Sequence, residues 1–411
     1  MFIYSRVGGA WSTVPVYVKA SDVDAGDEFG SAVALSGTTL AVGAPLQDSP
    51  TDGLDTTNSA VDSGAAYAFV SSAGSWPRTP RILKASNIGN GDNFGRAVAV
   101  GAGGSVIVVG APNEDGDGTG IDPVDTNTKP DSGAAYRFEK NALAVGPLPE
   151  WKPPQRFKAA NSGAGDLYGT TVAVSSNGQV FAVGAPGEDG TQLDSPNDDG
   201  NNVGAVYVYT TLAAGATDVA YLKATHRYDG ALFGSSVSIS GDGTVLAVGS
   251  PHESVDYGGV DGNEDAPPTA TNAGAVHILA RRANTNWSSQ GNTAATRHYV
   301  KASNTGAIDF FGSAVSLSDD GNTLVVGAPG EDGNGRNIDA NNNPANNQAV
   351  DSGAAYLFLR CDDSPTCEAG VFRRGHHTMS VEHALRVMVL KRLCRELPVR
   401  YTTQSWNLRP R

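Results

Sequence analysis

Five times along this chain a Lys-Ala pair is followed, ten residues after the lysine, by an aromatic residue and then a glycine. The segments run Lys19 to Gly30, Lys84 to Gly95, Lys158 to Gly169, Lys223 to Gly234 and Lys301 to Gly312, without internal gaps. Each is followed by a short alternating run, a tight polar turn, an apolar run and a Gly-Ala-Pro or Gly-Ser-Pro stop, at Gly43, Gly110, Gly184, Gly249 and Gly327. A spacing kept five times over 411 residues defines a repeat architecture rather than two unrelated domains.

Each repeat reads as short strands. Val33 and Leu35 alternate with Ala32 and Ala34 at strand period. Turns such as Ser240-Gly241-Asp242-Gly243 and Asp319-Asp320-Gly321-Asn322 have hairpin chemistry. Runs such as Leu324-Val325-Val326 are apolar on both faces and predict a strand buried on both sides. A third strand opens with Gly-Ala and alternates aromatics, as in Gly64 to Phe69, Gly133 to Phe138 and Gly353 to Phe358, and a fourth returns to the next Lys-Ala, often after a tryptophan (Trp11, Trp76, Trp151, Trp287). Such a meander cannot bury both of its faces alone, so units must stack, and radial stacking gives a propeller. The fold class predicted is all-β: a β-propeller of four-stranded antiparallel blades over residues 1–360, with repeats at about 14–83, 84–157, 158–222, 223–300 and 301–360, and a basic tail at 361–411.

Phe29-Gly30 followed by Gly43-Ala44-Pro45, with its four counterparts, resembles the FG-GAP repeat of integrin α-chain propellers and their bacterial relatives. The resemblance covers residues 1–360 and implies a secreted or cell-surface adhesion module. In integrin propellers the calcium loop lies between the Phe-Gly and Gly-Ala-Pro strands. Here that connection is a short hairpin without an aspartate ladder, so those ligands do not carry over.

Counting strands leaves the last repeat with three, ending at Phe358, while the N-terminus carries a spare fourth strand, Val14 to Ala20. Two arrangements follow: five blades closed by the N-terminal strand, or a fragment of a longer, seven-bladed ring. The start in mid-repeat and the lack of a signal-peptide pattern in Met1 to Thr13 favour the second.

The net charge of −14 argues against a nucleic-acid partner, which requires clustered lysine and arginine. No apolar run is long enough to span a bilayer. The cysteines, Cys361, Cys367 and Cys394, all follow the repeats, which therefore do not depend on disulfides; Cys361 and Cys367 are spaced for a local pair or stay reduced. Asn286-Trp287-Ser288 is a glycosylation sequon.

The loops between second and third strands hold 24 of the 43 acidic residues and should emerge on one face. Glu114, Asp115, Asp117 and Asp122, Glu188 and Asp189, and Glu331 and Asp332 are candidate Ca²⁺ ligands, since carboxylates on glycine-rich turns supply the oxygens calcium takes. The competing reading is that Asp, Asn and Gly make good turns and a solvated rim. A second repeated carboxylate stands two places before the aromatic (Asp27, Asp92, Asp166 and Asp309, replaced by Ala231) and reads as a turn cap or as the partner of the repeated lysine.

Zinc-protease, phosphate-loop and nucleophile-elbow motifs are missing from the sequence, so the chain reads as a non-enzyme that binds a protein or glycan through its loop face. The alternatives are a structural array or accessory domain of a larger surface protein and an enzyme with a central-channel site. Beyond Arg360 the repeat grammar stops. Ser380 to Leu397 predicts a helix capped by Ser380 and ended by Pro398, in a tail read as helical or disordered whose composition sets it apart from the repeats. His376, His377, His383 and Cys394 are a weaker candidate for a metal site than for a plain basic tail.

Overall fold

The computed structural model describes residues 1–51, 58–142, 150–191, 200–212, 217–263, 266–281, 285–287, 296–333, 349–360 and 372–379. Two small ribbons open the chain: β1 (Phe2–Ile3) pairs with β4 (Val16–Tyr17), and β2 (Arg6–Val7) with β3 (Ala10–Trp11). Five antiparallel meanders follow. Unit 1 comprises β5 (Ala32–Ser36), β6 (Thr39–Ala44), β7 (Ala65–Val70) and β8 (Arg81–Leu83). Unit 2 comprises β9 (Ala97–Gly101), β10 (Val106–Ala111), β12 (Ala134–Glu139) and β13 (Gln155–Lys158), with β11 (Gly120–Ile121) from its long loop added outside β13. Unit 3 comprises β14 (Thr171–Val174), β15 (Val180–Ala185), β16 (Ala205–Thr211) and β17 (Thr217–Leu222). Unit 4 comprises β18 (Ser236–Ile239), β19 (Val245–Ser250), β20 (Ala275–Ala280) and β21 (Thr296–Val300). Unit 5 comprises β22 (Ala314–Leu317), β23 (Thr323–Ala328), β24 (Ala354–Arg360) and β25 (Phe372–Met379).

The second strands β6, β10, β15 and β19 are buried along their whole length, as their two-sided apolar character predicts. Their partners supply the rings. In each unit the aromatic of the aromatic-Gly pair meets the first ring of the third strand edge-on, Phe94 with Tyr136 at 5.2 Å and 68°, Tyr168 with Tyr207 at 5.3 Å and 70°, Phe311 with Tyr356 at 5.2 Å and 71°.

Cores form between units rather than within them. Ala41, Ala66 and Leu83 of unit 1 pack with Phe94, Val109 and Tyr136 of unit 2, and the pattern recurs along the array. The aromatic-Gly pair is the joint. Phe94 donates its backbone N–H to the Ser63 carbonyl at 3.1 Å, and forms a parallel bridge with Gly64. Gly95 then donates to Gly110 of its own unit at 3.0 Å while its carbonyl lies against Gly43 of unit 1, where a Cβ would stand 1.9 Å from it. Gly110, Gly184 and Gly249 face the carbonyls of Gly169, Gly234 and Gly312 at 1.9, 2.1 and 2.0 Å from the place of a Cβ. No side chain fits at these four stops, which require Gly.

At the other end of the strands the hairpins link in series. Ala102 donates to Ser176, Ser176 to Gly241, and Gly241 to Asp319, at 3.0, 2.8 and 2.8 Å. The Ser176 hydroxyl of unit 3 also reaches Asp319 of unit 5 at 2.8 Å, so the array curves about its hairpin end.

The last unit departs from the sequence reading. The N-terminal strand does not complete it: β4 pairs with β1, and β25 holds the outer edge of β24 instead. Residues 372–379 are therefore paired into this sheet. This edge was unreadable because it lacks the Lys-Ala signal, and its pairing, unlike the other third-to-fourth strand pairings, carries a register shift, between Tyr356 and Phe358. The predicted helix from Ser380 and the three cysteines lie outside the described residues.

The close approach makes a sharp test. Gly110→Ala is expected to lower unfolding stability by about 3 kcal/mol or more, because the clashing atom is backbone. Gly327→Ala, whose Cβ would meet only its own unit's Ala314, at 3.6 Å, is expected to change it by less than about 0.5 kcal/mol. Denaturant midpoints of the two variants check the contrast.

Candidate functional site

The second-to-third-strand loops begin four residues after each stop glycine with Gln47, Glu114, Glu188, Glu253 and Glu331. In every unit the side chain at this place turns inward. Its backbone carbonyl accepts from the glycine that opens the third strand, Gly133 to Glu114 and Gly204 to Glu188 at 2.8 Å. Its carboxylate caps a loop amide, that of Gly116, Gly190 or Gly333 at 3.0 Å, or of Val255 at 2.8 Å.

The same carboxylate takes the repeated lysine, on the other oxygen in Glu188 and Glu253 and on the shared Oε2 in Glu114. Lys158 meets Glu114 at 2.5 Å and Lys301 meets Glu253 at 2.7 Å, while Lys223 pairs with Glu188. All six side chains are buried. Burial pulls each lysine below its ordinary value, against the attraction of its glutamate. In unit 1 the carboxylate is replaced by Gln47, and Lys84 donates to the Gln47 Oε1 and Ser63 Oγ at 3.0 Å and to the Gly64 carbonyl. Without a carboxylate in contact, burial lowers Lys84 to about 8.

A third contact crosses from the preceding unit. The residue three places after the lysine is Asn87, Asn161 or Asn304, and each donates to the glutamate of the next unit, Glu114, Glu188 or Glu331, at 2.5, 2.7 and 2.7 Å. Its amide oxygen accepts from a third-strand tyrosine, Tyr136, Tyr207 or Tyr356. Unit 1 inverts the polarity: Asp22 stands in the asparagine position and accepts from Gln47 at 3.1 Å. The charge changes at both positions together, which keeps donor facing acceptor.

The aspartate after Glu114, Glu188 and Glu331 clasps the loop. Asp115, Asp189 and Asp332 accept the amides of Asp131, Asn202 and Asp351 at 3.0, 2.6 and 2.8 Å, and those three residues have positive φ of 54, 50 and 52°. Asn and Asp tolerate that conformation best among residues with a side chain, which explains the loop composition. Asp117 accepts from the Thr126 amide and hydroxyl, both at 2.6 Å, and the hydroxyl bond foremost holds it well below the carboxylate range. Asp122 accepts the Arg156 amide at 2.8 Å.

The eight residues proposed from sequence as calcium ligands thus face protein donors, six at loop bases and Asp117 and Asp122 within the unit 2 loop. Among the described residues no three His, Cys, Asp or Glu side chains are grouped to hold a metal ion. In this arrangement the carboxylates are engaged by lysines and backbone amides.

The carboxylates before the aromatics are turn caps. Asp92, Asp166 and Asp309 accept the amides of Gly89, Gly163 and Gly306 at 2.8, 2.7 and 2.7 Å. The lysine's partner is the loop glutamate rather than this aspartate, a correction to one of the two roles read from sequence. The signal was present, since the glutamate keeps a fixed offset from the stop glycine; Glu253 has that offset without the Glu-Asp motif and went unnoticed. Burial foremost raises Asp92 to about 7 and Asp309 to about 6.

A family model described as FG-GAP repeat matches residues 16–69 and 299–358, covering the first unit up to its third strand and most of the last. No curated protein matches the chain. Among solved structures, a β-propeller domain of Cps50 (Swd1) from Myceliophteria thermophila is similar at 9% identity and a TM-score of 0.41, over 88% of this chain and 75% of that one, a level that carries no argument. The chain contains an FG-GAP repeat region within an all-β, propeller-like array, and no described helix is long and apolar enough to cross a membrane.

Lys223→Met is expected to cost about 3–5 kcal/mol by leaving Glu188 buried without its cation, whereas Glu188→Gln combined with Asn161→Asp reproduces the Gln47–Asp22 arrangement and costs less. Urea unfolding of both variants decides the order. A second expectation concerns pH. Asp92 gives up its proton near 3.8 when unfolded and near 7 when folded, so its contribution to stability falls as pH rises from about 4 to about 7. The stability of Asp92→Asn relative to the parent should therefore improve across that window, as followed by denaturant midpoints at stepped pH.

Proposed function

We propose that this chain is a non-catalytic scaffold, an array or accessory domain of a larger surface protein, in which propeller-type blades hold up variable loops for a partner. The observation that carries this reading is the placement of the buried ionisable groups. Glu114, Glu188 and Glu253 are engaged with lysines, and Asp92, Asp166 and Asp309 cap turns, so the buried charges described hold backbone in place. Loop interiors are free to vary on such anchored bases without disturbing the stacked sheets.

A finer reading is adhesion to a protein or glycan through the acidic loops at a cell surface. It is favoured by the fact that all five loops leave from the same ends of their strands, between second and third, which gathers their charge on one side. Fluorescently labelled chain binding to intact cells tests it. Replacing Asp194, Asp198, Asp199 and Asp339 by Asn is expected to leave the melting temperature unchanged and to weaken binding at least about tenfold. Calcium at about 1 mM is expected to move neither readout, given oxygens already facing protein donors. Undiminished binding by the neutralised chain would remove recognition from the loop face and leave the array as scaffold alone.

A further inference from the structure

Every internal junction joins the same two halves. The leading half, on the unit that follows, is the aromatic-Gly pair with the first-strand valine behind it: Val98, Val172, Val237 and Val315 each pack on the unit before. The trailing half is the stop glycine with the alternating small residues of the second and third strands. Among the described residues, the array ends with one unmatched half of each kind.

At the front, a Cβ on Gly30 would meet nothing within 4 Å, Phe29 is half-buried where its four counterparts are fully buried, and Val33 is 51% exposed. At the back, a Cβ on Gly327 meets only Ala314, where the other four stop glycines meet a carbonyl. Val325, Ala355 and Leu357 form a cluster of three on the face where the equivalent Ala41, Ala66 and Ala68 of unit 1 join the core of unit 2.

Charge repeats the mismatch. Glu331 is buried and receives Asn304 and the Gly333 amide, but among the described residues no lysine reaches it, and the residue that follows β25 is Ser380. Lys19 is exposed and makes no ion pair among the described residues. The strand just before it, β4, is paired to β1 on one edge, as β13 is paired to β11, which leaves the other edge for a third strand.

We propose that the two ends are complementary faces through which one copy of this chain docks on a second, head to tail. Unit 1 of one copy seats Phe29-Gly30 and Val33 on Gly327 and its neighbours in unit 5 of the other, with Lys19 supplying the lysine that Glu331 lacks. The incoming β4 takes the outer edge of β24 from the shifted β25. Such a contact is heterologous and continues until it closes or is capped.

Light scattering of the full chain, with two half-blocked variants, tests this. Val33→Asp spoils the leading face and Gly327→Leu the trailing face. Both positions are open and Gly327 has no positive φ, so each variant is expected to keep the parent melting temperature. The parent mass should rise above one chain between roughly 1 and 100 μM. Each variant alone should stay at one chain, and an equimolar mixture should reach two chains and stop, since it contains one good leading face and one good trailing face. Lys19→Glu, a substitution at an exposed site, should weaken association at least about tenfold. A parent that stays at one chain throughout, or variants that associate as the parent does, would overturn the proposal.

Discussion

The approach of one backbone to another without a side chain between them is the constraint on which this array depends. A carbonyl of the aromatic-Gly pair lies where the Cβ of the preceding unit's stop residue would stand, at four successive junctions. Glycine is required on both sides, because Gly95, Gly169, Gly234 and Gly312 also have φ near 100° and face a third-strand carbonyl of the unit before. Once the contact is fixed, the ring of the aromatic is placed over the third strand of its own unit, and that places the core. The short alternating strands, marginal as isolated hairpins, acquire stability from being clamped in this way.

The interior ion pairs are a second layer built on the first. Removing a lysine and a glutamate from water is costly, and such pairs often contribute little net stability over an apolar isostere. Their use here is positional. A glutamate that holds a loop amide, a lysine from the returning strand and an asparagine from the preceding unit ties three separate chain segments to one point. Unit 1 achieves the same with Gln47 and Asp22, so the requirement is for matched donors and acceptors rather than for charge.

What could be read in the sequence follows the range of the interactions. Hairpins, two-sided strands and the stacking of five units were legible because alternation, turn chemistry and spacing are local, and repetition multiplied a weak signal. The Lys158–Glu114 and Lys301–Glu253 pairs were not, since partners 44 and 48 residues apart are joined only by the fold. Carboxylates in glycine-rich loops look alike whether they face a cation or an amide, so Asp115 and Asp117 were legible as important and not as clasps. The edge strand Phe372–Met379 was invisible for the opposite reason, having backbone pairing without any of the residues that mark a fourth strand elsewhere.

These layers also set where variation is tolerated. Gly110, Lys158 and Glu114 each contact more than one segment, and a change at any of them propagates into two units. Each loop base is held by two adjacent residues, a glutamine or glutamate and, after it, an aspartate or, in unit 4, Ser254. Loops as different as 46–63, with its Pro and Asp turns, and 330–352, rich in asparagine, are therefore mounted on the same fitting. A scaffold with fixed joints separates the residues that determine folding from the loops mounted on them, and it places those loops at one set of strand ends.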